Sequence, residues 1–281
     1  MAARRHAIWA RRNSSKGLPG KATGVAPQFE LLGHRGARGL FPENTLEGFR
    51  AAIALGFDGF ELDVGLTRDG VVVVHHDPAL NPDITRTPDG TWLRCRRLLK
   101  DLTFAELGRF DVGRIRPGCR YAALFPEQHP MDGARIPRLA DVLALDTGIR
   151  LTIEMKLHPD RTVAPEPMAE AVVAVVEAAG AAGRVTLSSF EWRSLQHLGR
   201  IRPGLARAWL TPRRTPRRMP EAGGGTWSPE HGGLTQALLR QAHALNLRVI
   251  PWTVNDPADM ARLIRWGVDG LISDRPDLAQ A

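Results

Sequence analysis

FELDVGLTRDGVVVVHHD, residues 60–77, is the stretch whose reading decides the fold. Phe60, Leu62 and Val64 alternate with Glu61 and Asp63, and successive side chains of a strand point to opposite faces. One face is therefore apolar and the other carries two carboxylates. LTIEMK at 151–156 repeats the pattern, with Leu151, Ile153 and Met155 on one face and Thr152, Glu154 and Lys156 on the other. Further β-rich runs fall at 30–34, 58–64, 71–75, 150–156, 184–189, 204–210, 247–254 and 268–273, mostly alternating with helical segments, which is the pattern of a parallel sheet. Eight is the barrel number, and 281 residues suit one such unit. The expectation is an α/β fold, a (β/α)8 TIM barrel over 29–281. TWSPE at 226–230 is a ninth strand candidate, and the connection from 61 to 75 is too short for a helix.

Helix punctuation agrees with that plan. Asn44 is placed to cap a helix carrying Glu47, with Leu46, Phe49 and Ile53 as its buried stripe and Gly56 at its end. Asp256 and Pro257 open another that Gly267 closes, and Leu238, Leu239, Ala242 and Leu245 recur at helical spacing before Asn246, a left-handed cap. The segment 78–137 is too long for a simple crossover and reads as an insertion over the C-terminal mouth, with a short helix at FAEL, 104–107. Its Trp92, Tyr121 and Phe125 either reach the substrate or pack the insertion on the barrel.

The polar faces carry the chemistry. Paired carboxylates in an interior are costly unless a cation neutralises them. Structural ion pairs with arginines are one remedy; a hard divalent ion, Mg²⁺ or Ca²⁺, is the other, and the Mg²⁺ pattern of few carboxylates, waters and a substrate phosphate points to a phosphate ester. Glu154 adds a third carboxylate, while Lys156 and Arg35 supply fixed positive charge for a phosphodiester whose negative charge grows during displacement. Histidine as a residue type titrates in the range needed to take one proton and give another, which makes His34 and His76 the candidates.

These residues lie in motifs that resemble the glycerophosphodiester phosphodiesterase family: HRG at 34–36, PENT at 42–45, ELDV at 61–64, a hydrophobic run ending in HD at 76–77, IEMK at 153–156, SSF at 188–190, WTVN at 252–255 and GVDGLISDRPD at 267–277. Eight blocks in family order span nearly everything after residue 30. The resemblance implies a (β/α)8 barrel that hydrolyses glycerophosphodiesters to sn-glycerol 3-phosphate and an alcohol with a divalent cation. It implies Glu61, Asp63 and Glu154 as metal ligands, His34 and His76 as acid and base, Arg35 and Lys156 at the phosphate, and Trp252 as an aromatic wall near the glycerol. Glu43 matches a family carboxylate near the metal, as a ligand or in support of one. Two departures bear on substrate preference: Gly65 stands where the family commonly has a bulkier polar residue, and Arg138 where it has Thr or Ser. Arg138 either adds charge near the entrance or is a surface residue.

The net charge of +8 suggests nucleic acid at first sight, but residues 1–28 hold six basic residues and no acid. The remainder has 32 basic and 30 acidic residues, so the expected partner is a small phosphodiester and not nucleic acid. The leader reads as a disordered basic extension and 211–225 as a mobile basic loop. No apolar run of signal-peptide or membrane-spanning length occurs, so the default expectation is cytoplasmic residence without stable membrane insertion, with a periplasmic or secreted location left open. Cys95 and Cys119 both fall in the insertion, and spacing alone does not say whether they pair. None of the nine histidines sits in an HxH or HExxH pattern, which argues against a zinc hydrolase.

Overall fold

The computed structural model describes residues 29–279, apart from 58, 146–147, 158–162 and, between 213 and 224, all but 216, 219 and 223. The basic leader and most of the basic loop expected at 211–225 lie outside the described residues. Eight parallel strands make the barrel: β1 (Glu30–His34), β2 (Gly59–Leu66), β4 (Arg150–Met155), β5 (Val185–Ser189), β6 (Ala206–Thr211), β7 (Thr226–Pro229), β8 (Arg248–Val249) and β9 (Gly270–Ser273). They are hydrogen-bonded in the order β8-β7-β6-β5-β4-β2-β1-β9. The ends of that row meet through backbone bonds from Asp269 to Val249 (2.9 Å), Ile272 to Pro251 (3.0 Å) and Val254 to Ile272 (2.9 Å), which nearly close the barrel.

One expected barrel strand is not in the ring. Val72–Val74 forms β3, antiparallel to β2 and off the barrel path, with Val64 opposite Val74. The cause is local: the Thr67 hydroxyl accepts from Val71 N at 2.9 Å, Gly70 takes a left-handed φ of 75°, and so short a turn returns the chain antiparallel. The eighth barrel place belongs to TWSP, the ninth candidate of the sequence.

Helices cover the outside. They are α1 (Leu46–Ala54), α4 (Leu139–Leu143), α5 (Pro165–Ala178), α6 (Trp192–Ile201), α7 (Gln236–Ala244) and α8 (Pro257–Trp266), with α2 (Phe104–Leu107) and α3 (Arg120–Leu124) inside the insertion. The cap of α1 is Thr45, whose hydroxyl accepts from Gly48 N at 3.0 Å, and not the expected Asn44. Asn44 is left-handed (φ 53°), and its side chain turns to Asp63 instead. Asp256 caps α8 and Gly267 ends it left-handed, as the sequence suggests; Asn246 is likewise left-handed after α7.

The apolar faces of the strands pack under these helices, with Trp209, Trp227, Phe49 and Phe60 fully buried and the Phe49 and Phe60 rings edge-on at 5.5 Å. Inside the barrel, Leu32, Ile250 and Ile272 form a small separate plug. The insertion has its own core, with Leu80, Leu102, Leu107 and Phe110 packed with Val73 of β3, and α2 carries the capping box of Thr103 and Glu106. Two cores, one under the helices and one in the insertion, therefore leave the charged ends of the strands between them without apolar filling.

Candidate active site

Strand register assembles the polar cluster. His34, the last residue of β1, pairs with Glu61, and Asp63 pairs with Glu154, and neighbours in a parallel register share a face. One carboxylate oxygen from each of Glu61, Asp63 and Glu154 lies within 4.8 Å of the others. Lys156, one residue past β4, sits 2.7 Å from Glu154 Oε1 and 3.2 Å from Asp63 Oδ1. Arg35 Nε is 3.3 Å from Asp63 Oδ2, to which Asn44 also donates at 3.0 Å.

Burial sets the charge of these groups. Desolvation, reinforced by Asp63 and Glu154, pushes the Glu61 carboxyl well above the usual range. Glu154 is raised by the same desolvation, with Asp63 adding and Lys156 opposing. Burial also works against ionising Asp63, yet Lys156 and Arg35 together hold it well below the ordinary value. Glu61 Oε2 has no hydrogen-bond partner although it is buried. A set of oxygen donors with more carboxylate than its fixed cations neutralise, and an orphaned oxygen at its edge, fits a hard divalent cation.

Each expected histidine is backed by a carboxylate. His34 Nδ1 donates to Asp274 Oδ1 at 2.6 Å, so its Nε2 carries the lone pair and lies 3.6 Å from Glu61 Oε2. Desolvation, against the pull of Asp274, lowers the His34 pKa to about 4, and the imidazole is neutral at pH 7. His76 Nδ1 meets Asp77 Oδ1 at 2.8 Å. Asp274 is itself fixed, since it accepts from Arg38 Nε at 2.6 Å and Asn255 Nδ2 at 2.7 Å while its backbone N–H donates to Asn255 Oδ1 at 2.9 Å.

The turn after β1 aims the arginines. Arg35, Gly36 and Ala37 all have positive φ, and the N–H groups of Gly36, Ala37 and Arg38 fold back onto Gly33 and His34. Two non-glycine residues in the left-handed region store backbone strain at a site of function. A Cβ on Gly39 would come within 2.7 Å of the Asp274 carbonyl, so this loop and the end of β9 approach closely only because residue 39 is glycine.

His34, Arg35, Glu61, His76, Glu154, Lys156 and Trp252 line one cavity of about 280 Å³, together with Arg38, Phe190, Leu210, Thr253 and Ile272. Larger surface clefts of about 740 and 710 Å³ lie elsewhere and carry neither carboxylate nor histidine, so chemistry and not size selects the site. Trp252 donates its indole N–H to Ser228 O at 2.9 Å and meets Phe190 edge-on at 5.5 Å, which makes an aromatic wall. Glu43 is not part of the three-carboxylate group; its oxygens are taken by Arg35 (2.8 Å) and by the Tyr121 hydroxyl. Of the insertion aromatics, Trp92 packs on Arg86, whereas Tyr121 and Phe125 both face Arg38. Arg138 is a surface residue paired with Asp141, and both cysteines are free thiols. No sequence pattern singles out Asp274, Asn255, Asp77, Arg38 or Phe190, although all but Arg38 stand inside the eight motif blocks.

Comparison with known proteins places the chain in a family. The model of the Glycerophosphoryl diester phosphodiesterase family matches residues 34–278. The chain belongs to that family. Among similar sequences are the glycerophosphodiester phosphodiesterase of Caldanaerobacter subterraneus, 31% identical with 88% of this chain and 94% of the relative covered, and the uncharacterized protein YqiK of Bacillus subtilis, 34% identical with 90% and 97% covered. A putative glycerophosphoryl diester phosphodiesterase structure from Silicibacter pomeroyi aligns with a TM-score of 0.87 at 35% identity, covering 92% of this chain and 93% of its own. At 23% identity and a TM-score of 0.70, a phosphodiesterase of Oleispira antarctica, solved in complex with the product sn-glycerol-3-phosphate, shares the fold over 88% of this chain and 93% of its own. The chain is thus a phosphoric diester hydrolase of the glycerophosphodiester class on a (β/α)8 barrel. No helix among the described residues is long and apolar enough to cross a membrane.

Proposed function

We propose that this enzyme releases sn-glycerol 3-phosphate and an alcohol from glycerophosphodiesters, with one divalent cation, Mg²⁺ or Ca²⁺, held by Glu61, Asp63 and Glu154. The observation that carries the reading is the buried carboxylate trio with the neutral Nε2 of His34 3.6 Å from its edge. The cation, when bound, polarises the phosphoryl oxygens and offsets the charge that grows on them. Arg35 and Lys156 hold the phosphodiester against the cavity wall, and Trp252 packs along its glycerol. His34, neutral and oriented through Nδ1 by Asp274, takes a proton from the nucleophile at Nε2. His76, oriented by Asp77, gives a proton to the departing alkoxide. Asp274 and Asp77 each fix one tautomer, as a carboxylate behind an imidazole does in other hydrolases.

The test is release of sn-glycerol 3-phosphate from glycerophosphocholine by the purified protein, with and without chelator, beside His34→Ala. Activity that chelator abolishes, divalent cation restores and the variant lacks supports the reading. Turnover unaffected by chelator contradicts the metal assignment, and turnover by the variant at the wild-type rate contradicts the role of His34.

A further inference from the structure

Tyr121 is the chain's single tyrosine, and it stands on α3 of the insertion, outside the barrel. Its hydroxyl donates to Glu43 Oε2 and accepts from Arg38 Nη1 at 3.1 Å. Two lines of contact leave it. Along one, Glu43 Oε1 takes Arg35 Nη1 at 2.8 Å, and Arg35 Nε lies 3.3 Å from Asp63. Along the other, Arg38 Nε donates at 2.6 Å to Asp274, which accepts from His34 Nδ1 at 2.6 Å. Three N–H groups of Arg38 go to Tyr121 and Asp274, and its Cζ lies 4.8 Å from the Phe125 ring centroid. Arg38 therefore sets Tyr121 and Asp274 while also lining the cavity.

A phenol can donate and accept at once, so this one neutral group satisfies both neighbours here. Burial and the Glu43 carboxylate push its ionisation up, so it keeps its proton. Without the hydroxyl, Glu43 retains one partner for two buried oxygens and Arg38 loses an acceptor, which loosens Arg35 and Asp274 together.

We infer that Tyr121 is a positioning residue through which the insertion fixes both the phosphate-binding Arg35 and the His34 imidazole. The insertion is then part of the catalytic apparatus and not only a cover for the barrel. This rests on the reading in which Arg35 binds the phosphodiester and His34 takes the proton. A packing role alone would need only the ring, which lies edge-on to Phe125 at 5.0 Å and survives replacement by phenylalanine.

Kinetics of glycerophosphocholine hydrolysis at saturating divalent cation would be compared for wild type, Y121F, E43Q and the double variant, with W92F as a control for insertion packing. Tyr121→Phe is expected to lower kcat/KM by about 10–100-fold, the range seen when supporting partners of a site are removed, with Tm within the range set by W92F. The double variant should lose little more than the weaker single variant, because both act through one contact. Unchanged kcat and KM in Y121F, or losses that simply add, overturn the inference.

A second measurement stands even if Y121F does not fold. Growth on 3-fluorotyrosine labels this one position, and its single ¹⁹F resonance should shift on titration with inorganic phosphate in wild type and not in Arg35→Ala. A resonance indifferent to phosphate overturns the inference. A wild type that does not hydrolyse glycerophosphocholine sinks the functional reading instead, while the phosphate titration still reads the coupling.

Discussion

Carboxylates gather at the barrel mouth and again in the insertion, and Glu61 and Glu154 of the first group respond to their surroundings in the opposite direction to Asp132 of the second. In the insertion, Arg86 lies 2.6 Å from Asp111 and 2.5 Å from Asp132, and Arg114 lies 2.7 Å from Asp132. Asp132 is about half exposed, and the Arg114 hydrogen bond holds its carboxyl down at about 2. At the mouth, Glu61 and Glu154 are buried and pushed up. The same side-chain chemistry therefore serves as scaffold where each acid meets a base in water, and fits a cation, the role proposed above, where acids outnumber bases out of water. An acidic stretch of sequence does not by itself mark a site.

Breaking the contrast should cost most at the mouth. His34→Ala is expected to lower kcat/KM by on the order of 10²–10⁴-fold, the usual worth of a positioned general base, measured as initial rates at saturating metal. Next comes Lys156→Met, which leaves Asp63 and Glu154 buried without their ammonium partner. Removing one member of a buried ion pair costs about 3–5 kcal/mol, read from urea unfolding in chelator, and added divalent cation should restore part of it. Asp274→Asn should cost roughly 10–100-fold in kcat/KM by releasing the His34 tautomer, with the fold intact by circular dichroism.

Comparable in size, and read on stability instead of rate, is the pH response of His34. Its imidazole should titrate near pH 4 in the metal-free protein, followed by NMR. The folded pKa lies below the unfolded value near 6.5, so between the two the unfolded chain binds the extra proton. This group's share of stability therefore falls as pH drops from about 6.5 toward 4, by up to roughly 3 kcal/mol. Titration near 6.5 would mean that water reaches the ring. The least effect belongs to Asp132→Asn in the insertion, which should leave kcat and KM unchanged; a loss of activity there would erase the distinction between the two clusters.

The mouth was legible because its groups sit on strands with a period of two, so Glu61, Asp63 and Glu154 declare a common face from sequence alone. Strand direction was less so. VVVV reads as a buried strand in either orientation, and only the four-residue turn before it, too short for a helix, forces β3 antiparallel and passes its barrel place to TWSP. Asn44 and Thr45 are both competent caps; the left-handed backbone at Asn44, which turns its amide to Asp63, decides between them. Asp274 sits 240 residues from the imidazole it orients, and Tyr121 reaches Glu43 across 78. Contacts of that kind depend on barrel closure and on how the insertion folds back, neither of which any local pattern encodes.

The measurement that tests the central claim most directly is calorimetric titration of Mg²⁺, Ca²⁺ or Mn²⁺ into chelator-stripped protein in buffers of different ionisation enthalpy. One cation per chain is expected, with proton release on binding because the Glu61 carboxyl is raised in the empty cluster, and both signals should vanish in Glu61→Gln/Glu154→Gln. A wild type that binds none of these ions, or a double variant that binds them as tightly as wild type, would contradict the assignment of the mouth as a metal site.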